Sequence, residues 1–232
     1  MSDAVQSAGF DRWRVARRRA VTAPTGNLAL VATQWLAPGE EPDLEAALAG
    51  QPPSVTASRL ERPDPLTGAV QRGLRLWDAD SDAIRDFDGI DTFAFDPAWI
   101  LEARYTEIPG ARLVPFEHIR DNGGTRDLVV PGDIAVIIAG REYVLYAFDD
   151  EGTLLLAFGD PTNGKSTYGA GRFLKVPREP GSDRVILDFN RAYVPPCGFS
   201  PHFNCPMPPP QNRLEVAVEA GEKLPLFHGA KQ

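Results

Sequence analysis

Cysteine, histidine and methionine are all scarce in this chain, with two, three and two copies among 232 residues. Two cysteines cannot form the multi-bridge framework of a small secreted scaffold. Net positive charge is missing too: 32 acids against 24 Lys and Arg give −8. That balance argues against nucleic-acid binding, where affinity rests largely on neutralising phosphates. No apolar run approaches the roughly 20 residues that span a bilayer. The N-terminus also lacks the charged-then-apolar layout of a secretion signal. The expectation is a cytoplasmic globular protein with no nucleic-acid or membrane partner and no cofactor. No Ser-His-Asp order and no HExxH string is present either.

What is present is mostly β rhythm. Hydrophobic residues make up 43%, enough at this length for one large β domain or two small ones. One helix is expected first, over Phe10 to Val21, with Asp11 near its start and Pro24 beyond its end. Its arginines read as a solvated face. A short amphipathic stretch follows at Asp43 to Leu48. Period-2 segments then accumulate at Val55–Leu60, Val70–Trp77, Ile100–Tyr105 and Leu113–Ile119, the last two separated by a Pro109-Gly110 turn. Ile134–Ile138 and Tyr143–Phe148 read as a hairpin across Gly140-Arg141-Glu142. Asp149-Asp150-Glu151-Gly152 turns the chain into Thr153–Phe158, and Glu215–Glu219 reads as a final strand. Turn signals every eight to twelve residues, without crossover helices, predict an antiparallel meander forming a barrel-like or sandwich core, with an N-terminal α-helix. Two regions are expected: residues 1–76, a helix and an abbreviated β region, and residues 77–232, the main β domain.

One string names an activity outright. Gly159-Asp160-Pro161-Thr162-Asn163-Gly164-Lys165-Ser166 matches the G-x-x-x-x-G-K-[ST] phosphate-binding template at every specified position. That chemistry needs a helix to begin within the motif, so that its amides and dipole face the phosphates. Here Gly169 and Gly171 weaken any such helix and Pro177 ends it, while Pro161 removes an amide from the loop. Thr162-Asn163-Gly164 suits a turn between two strands, and the segment is read as one.

The same residues carry a family resemblance. Gly164-Lys165-Ser166-Thr167-Tyr168-Gly169-Ala170-Gly171-Arg172-Phe173-Leu174 resembles a block of the bacterial and archaeal family known as domain of unknown function 1684. The likeness continues through Val185–Tyr193, Pro195-Pro196-Cys197, Cys205-Pro206, Pro208-Pro209-Pro210, Asn212-Arg213-Leu214 and Glu219–Lys223. Looser similarity reaches back to about Trp77. Val194 stands where the family usually has Asn, and Ser166 where it often has an acid. The resemblance implies that Lys165 and the Gly-rich tail belong together; it implies no activity.

The polar residues of this last third form the candidate site. Asp188, Asn190 and Tyr193 lie where an apolar strand enters a proline-rich stretch, with Asp188 and Asn190 expected on one face. Lys165 and Arg172 bring positive charge suited to phosphate or carboxylate; Arg172 pairing with Asp188 inside the fold is the structural alternative. Tyr168 and Arg213, from the blocks that carry the resemblance, complete a ligand-binding set of Lys165, Tyr168, Arg172, Asp188, Asn190, Tyr193 and Arg213. Two functions follow as expectations: a module binding a small polar or anionic metabolite, or a hydrolase-like enzyme. The enzyme would use Asp188 or Glu219 as acid/base, with Lys165 or Arg172 opposite developing charge. Cys197-x4-His202-x2-Cys205 offers three local ligands where zinc takes four, so the expected metal is none and the cysteines are expected to anchor the loop. The proline run is expected to wrap the β body, pinned by Phe199 and Phe203.

Overall fold

The computed structural model describes residues 3–63, 67–120, 125–150, 152–179 and 181–228. Glu151, in one of the expected turns, lies outside them. The fold is mainly antiparallel β with an N-terminal helix, α1 (Asp3–Val21). The helix starts two turns before the expected Phe10, because nothing from Ala4 to Ala8 breaks it and one Gly9 is tolerated. Arg18 and Arg19 sit in its last turn, where cations meet the negative end of the helix dipole.

The chain forms two compact units. One comprises residues 14–89, 196–203 and 225–232; the other comprises 1–13, 90–195 and 204–224. The expected boundary at 76/77 falls inside a strand. It followed the reach of the family motifs, whereas strand pairing decides which segments cohere.

In the first unit, β1 (Leu30–Trp35), β2 (Val55–Pro63) and β3 (Val70–Asp78) form a three-stranded sheet in the order β1-β3-β2. A short helix, α2 (Leu44–Leu48), is capped by the Asp43 carboxylate on the Ala46 amide. A second, α3 (Asp82–Arg85), is capped by Ser81. Phe199 and Phe203 belong here: Phe199 meets Phe87 edge-on and Phe203 lies against Trp77. Arg17 and Arg18 of the helix lie over Phe199 and Phe87, so part of the expected solvated face is stacked on rings.

The second unit holds the main core. It contains β5 (Ile100–Glu117), β6 (Thr125–Ile138), β7 (Arg141–Asp150), β8 (Thr153–Phe158), β9 (Arg172–Val176) and β10 (Arg184–Asp188); β4 (Phe87–Thr92) pairs with β11 (Glu222–Phe227), and the division between the units falls within each of these two strands. The six strands β5 to β10 form a sheet in the order β10-β5-β6-β7-β8-β9. It curls: the edge strand β9 exchanges two backbone bonds, Phe173 with Tyr193, just beyond the opposite edge strand β10. Inward-facing Ile134, Leu145, Leu156, Leu174 and Leu187 fill the interior at 0–1% exposure.

Three expectations are corrected. Pro109-Gly110 is no turn: β5 runs on through it with a register shift between Glu107 and Arg112. Gly110 and Ala111 take positive φ there, which makes an irregularity in one long strand. The β6–β7 connection is the two-residue Ala139-Gly140 turn, with both φ positive as hairpin twist requires. Glu215–Glu219 is irregular, and the last strand is β11. The proline run does lie along the β body, held by backbone bonds from Ile119 to Cys205 and from Met207 to Glu117.

Candidate functional site

The segment joining β8 to β9 closes on itself. Asp160 opens it: its Oδ1 accepts from the Thr162 amide (2.8 Å) and hydroxyl (2.6 Å). The Thr162 carbonyl accepts from the amides of Lys165, Ser166 and Thr167. Asn163 Oδ1 accepts the Asp160 amide, while its Nδ2 donates to Thr167 Oγ1 and the Tyr168 carbonyl. The Gly159 amide reaches the Asn212 carbonyl, Asn163 reaches Asp160, Gly164 reaches Thr167, and Tyr168 reaches Lys223. Pro161 has none to give. Each amide from Gly159 to Tyr168 is therefore spent inside the protein, and no helix follows; the chain enters β9 at Arg172. A phosphate cradle needs several free amides converging on one point. This loop has the phosphate-binding string and none of its geometry.

Beneath the loop lies Arg172, at 0% exposure. Its Nη2 donates to Asp160 Oδ2 and to the Val218 carbonyl, both at 2.8 Å. Its Nη1 donates to the Ala220 carbonyl and, at 3.4 Å, to that of Glu222. The Asp160 carboxylate is equally sealed, and its Oδ1 also accepts the Val218 amide at 3.3 Å. Glu222, 1% exposed, accepts the Val194 amide at 2.8 Å. Burial pulls the Arg172 guanidinium downward, and the charges of Asp160 and Glu222 oppose it. The physical role is visible in the partners. Residues 213–221 have no regular ladder, and Arg172 binds their carbonyls in place of one. Gly171 (φ 92°) makes the approach possible, since a Cβ there would stand 2.5 Å from Pro208 Cγ and 2.7 Å from the Phe158 carbonyl oxygen.

Two asparagines work alike. Asn190 is fully buried; its Oδ1 accepts the Asp96 amide and its Nδ2 donates to the Asp96 carbonyl, both at 2.9 Å. Asn212, also fully buried, accepts the Tyr146 amide (2.8 Å) and donates to the carbonyls of Tyr146 (2.7 Å) and Ala157 (2.8 Å). Both side chains imitate a peptide group, and Asn212 completes the β7–β8 ladder where direct pairing stops at Phe148 and Leu155.

The expected site residues therefore separate. Arg172 and Asn190 are committed to internal bonds and reach no solvent. Arg172 pairs with Asp160, not Asp188. Asp188 ends β10 by capping the turn Phe189–Arg191, bonds Asn190 and pairs with Arg191 at 3.1 Å. That turn breaks the strand period, so Asp188 and Asn190 do not alternate on one face. Tyr193 is half-buried and meets Phe173 edge-on. Tyr168 is half-buried beside Lys223, while Lys165, Arg213 and Glu219 are exposed. Arg213 bridges to Gly159, and a Cβ on Gly159 would stand 3.3 Å from Asn163 Oδ1. The Gly159 bridge sets the Arg213 backbone beside the start of the loop that carries Lys165. Cys197 and Cys205 are buried, and His202 is exposed. The residues missed were Asp160 and Asn212; Glu222, an acid candidate by its place near the end of the chain, turns out buried and bonded to the Val194 amide. Only Asp160 had a local signal, an Asp two residues before a Thr, which is the pattern of an Asx turn.

A curled antiparallel sheet whose irregular C-terminal segment is tied to a buried arginine defines the class of domain. The chain belongs to the family described as Protein of unknown function (DUF1684), which matches residues 85–223. It is similar to an uncharacterised protein of Haloarcula marismortui with a solution NMR structure, at 35% identity over 59% of this chain and 77% of that one, with a TM-score of 0.49. No curated protein matches it.

Proposed function

We propose that the chain is a non-catalytic β module that binds a small anionic metabolite on the loop cluster around Lys165, Arg213 and Tyr168. One observation carries the reading. In a protein of net charge −8, the cations of the curled-sheet unit are largely claimed by carboxylates: Arg104 by Asp183, Arg112 by Asp133, Arg141 by Glu215, Lys175 by Asp150, Arg184 by Glu102 and Lys223 by Asp91. Among the described residues Lys165 and Arg213 have no ion pair, and both are exposed. Lys165 sits in a turn fixed by its own hydrogen bonds and Arg213 in the segment bridged to that loop's first residue, so little ordering cost falls on a ligand that joins them. Arginine and lysine suit a carboxylate or phosphate group. The setting assumed is the bacterial cytoplasm, in keeping with the acidic composition. No helix of the described residues is long and apolar enough to cross a membrane.

The test is a thermal-shift screen of inorganic phosphate, sugar phosphates and di- and tricarboxylates, each against sodium chloride of equal ionic strength. A ligand at roughly one hundred times its Kd stabilises by about 2.7 kcal/mol, raising Tm by about 5–10 °C at this chain length. The shift should vanish in K165A/R213A. A flat screen, or an equal shift in the double variant, would end the proposal.

A further inference from the structure

A second feature, away from the loop cluster, lies inside the curled sheet near the end of β9. Tyr105 is 3% exposed, and its hydroxyl is buried with no hydrogen-bond partner among the described residues. Buried hydroxyls are nearly always satisfied, so an orphan calls for a physical reason. The surroundings are specific. Gly132 makes space for the phenol, since a Cβ there would stand 2.5 Å from Tyr105 Cζ. Strand register sets Glu107 opposite Gly132 and Gly132 opposite Ala147, and alternation puts Asp149 on the same face as Ala147. Arg178, two residues past β9, lies with its guanidinium carbon 4.5 Å from the Tyr105 ring centroid and pairs with Glu107 at 3.6 Å. The charges acting on the phenol are one cation, Arg178, and three carboxylates, Glu107, Asp133 and Asp149. Burial, above all, pushes the phenol's pKa up, so it stays a neutral donor and acceptor.

We propose that this end of the sheet is a binding site for a small organic cation with a guanidinium or primary ammonium head, which the protein's own Arg178 side chain occupies until displaced. Arg178 already makes the contacts such a ligand would make: the aromatic face and a carboxylate. An incoming cation would add what Arg178 leaves unmade, a hydrogen bond to the phenol oxygen. The internal contact is weak enough to exchange. The Arg178 and Glu107 side chains are 33% and 74% exposed. An exposed ion pair and a cation–π contact together are worth on the order of a tenfold change in affinity. An anion is disfavoured, because with Arg178 removed Glu107 and Asp149 would remain near the phenol, while Asp133, the third carboxylate, is already paired with Arg112. The loop-cluster reading is independent of this one, since the two sites share no residue and call for ligands of opposite charge.

The experiment titrates methylguanidinium and n-butylammonium into the full chain, with binding followed by calorimetry in every variant and by NMR of labelled tyrosine rings in those that keep Tyr105, and sodium chloride of equal ionic strength as control. The wild type should show a saturable shift of the Tyr105 signal. R178A should bind about tenfold more tightly, R178Q should do the same, and Y105F/R178A and E107Q/R178A should lose the gain. Circular dichroism checks that each variant is folded; the wild-type titration and R178Q decide the matter should R178A not fold. No saturable shift in wild type and R178Q overturns the proposal, as does binding that persists in Y105F/R178A. Tighter binding of phosphate than of either cation to R178Q also overturns it.

Discussion

Arg172 and Lys165 stand seven positions apart and look equally suited to an anion, yet burial gives them opposite roles. Arg172 is sealed against Asp160 and three carbonyls, while Lys165 projects from a turn into solvent. Removing one member of a buried ion pair leaves the other charged in a poor dielectric, which costs about 3–5 kcal/mol. D160A should therefore lower stability by about that amount in urea melts, and it should also loosen residues 218–222, whose carbonyls Arg172 holds. K165A should change stability by less than about 0.5 kcal/mol, as surface substitutions do. Equal effects of the two would mean that the Asp160–Arg172 pair does not organise the segment. Neither role was legible from residue type. A cation in a Gly-rich block reads as a ligand contact whether it points in or out, and the sealing partner, Asp160, was masked by the string that imitates a phosphate loop.

Elements were more legible than their joints. Period-2 alternation located β2 and β3, the hairpin pattern located β6 and β7, and an apolar run marked β8, whose Leu154 to Phe158 are all buried. Such patterns failed where side chains stand in for backbone. Pro109-Gly110 has turn composition yet sits in a register irregularity of one continuous strand, a choice made by the long partner β6. Asn212 left no periodic trace, although its carboxamide occupies a rung between Tyr146 and Ala157. N212A should leave one amide and two carbonyls short of partners, at about 1–3 kcal/mol for each unsatisfied group. N212D is closer in shape but sets a carboxylate oxygen against both carbonyls, so it should destabilise more than alanine does. Hydrogen exchange at the Tyr146 amide and the urea midpoint check the order. A reversal, with N212D the milder change, would show that Asn212 fills space and carries no ladder bonds.

At the scale of the molecule, the family match begins at residue 85, while the curled-sheet unit takes in residues 1–13 as well. The reason is aromatic packing over a long sequence separation. Phe10 is 4% exposed, stacks on Trp13 and lies 5.8 Å from the Phe95 ring. Gly9 approaches the Arg191 side chain beside it. The helix was legible in the sequence, but its attachment was not, since amphipathic spacing marks a buried face without saying what buries it. If the first turns belong to this unit's core, their loss should be felt globally. F10A should cost about 3–5 kcal/mol, as truncating a buried phenylalanine does. At 2–4 °C per kcal/mol for a chain of this size, Tm should fall by about 6–20 °C. Val5, on the same helix and 52% exposed, supplies the control, and V5A should stay within about 0.5 kcal/mol of wild type. A fall of similar size in both would trace the effect to helix propensity. No fall in either would detach the helix from the curled sheet's stability and return the folding unit to residues 85–223.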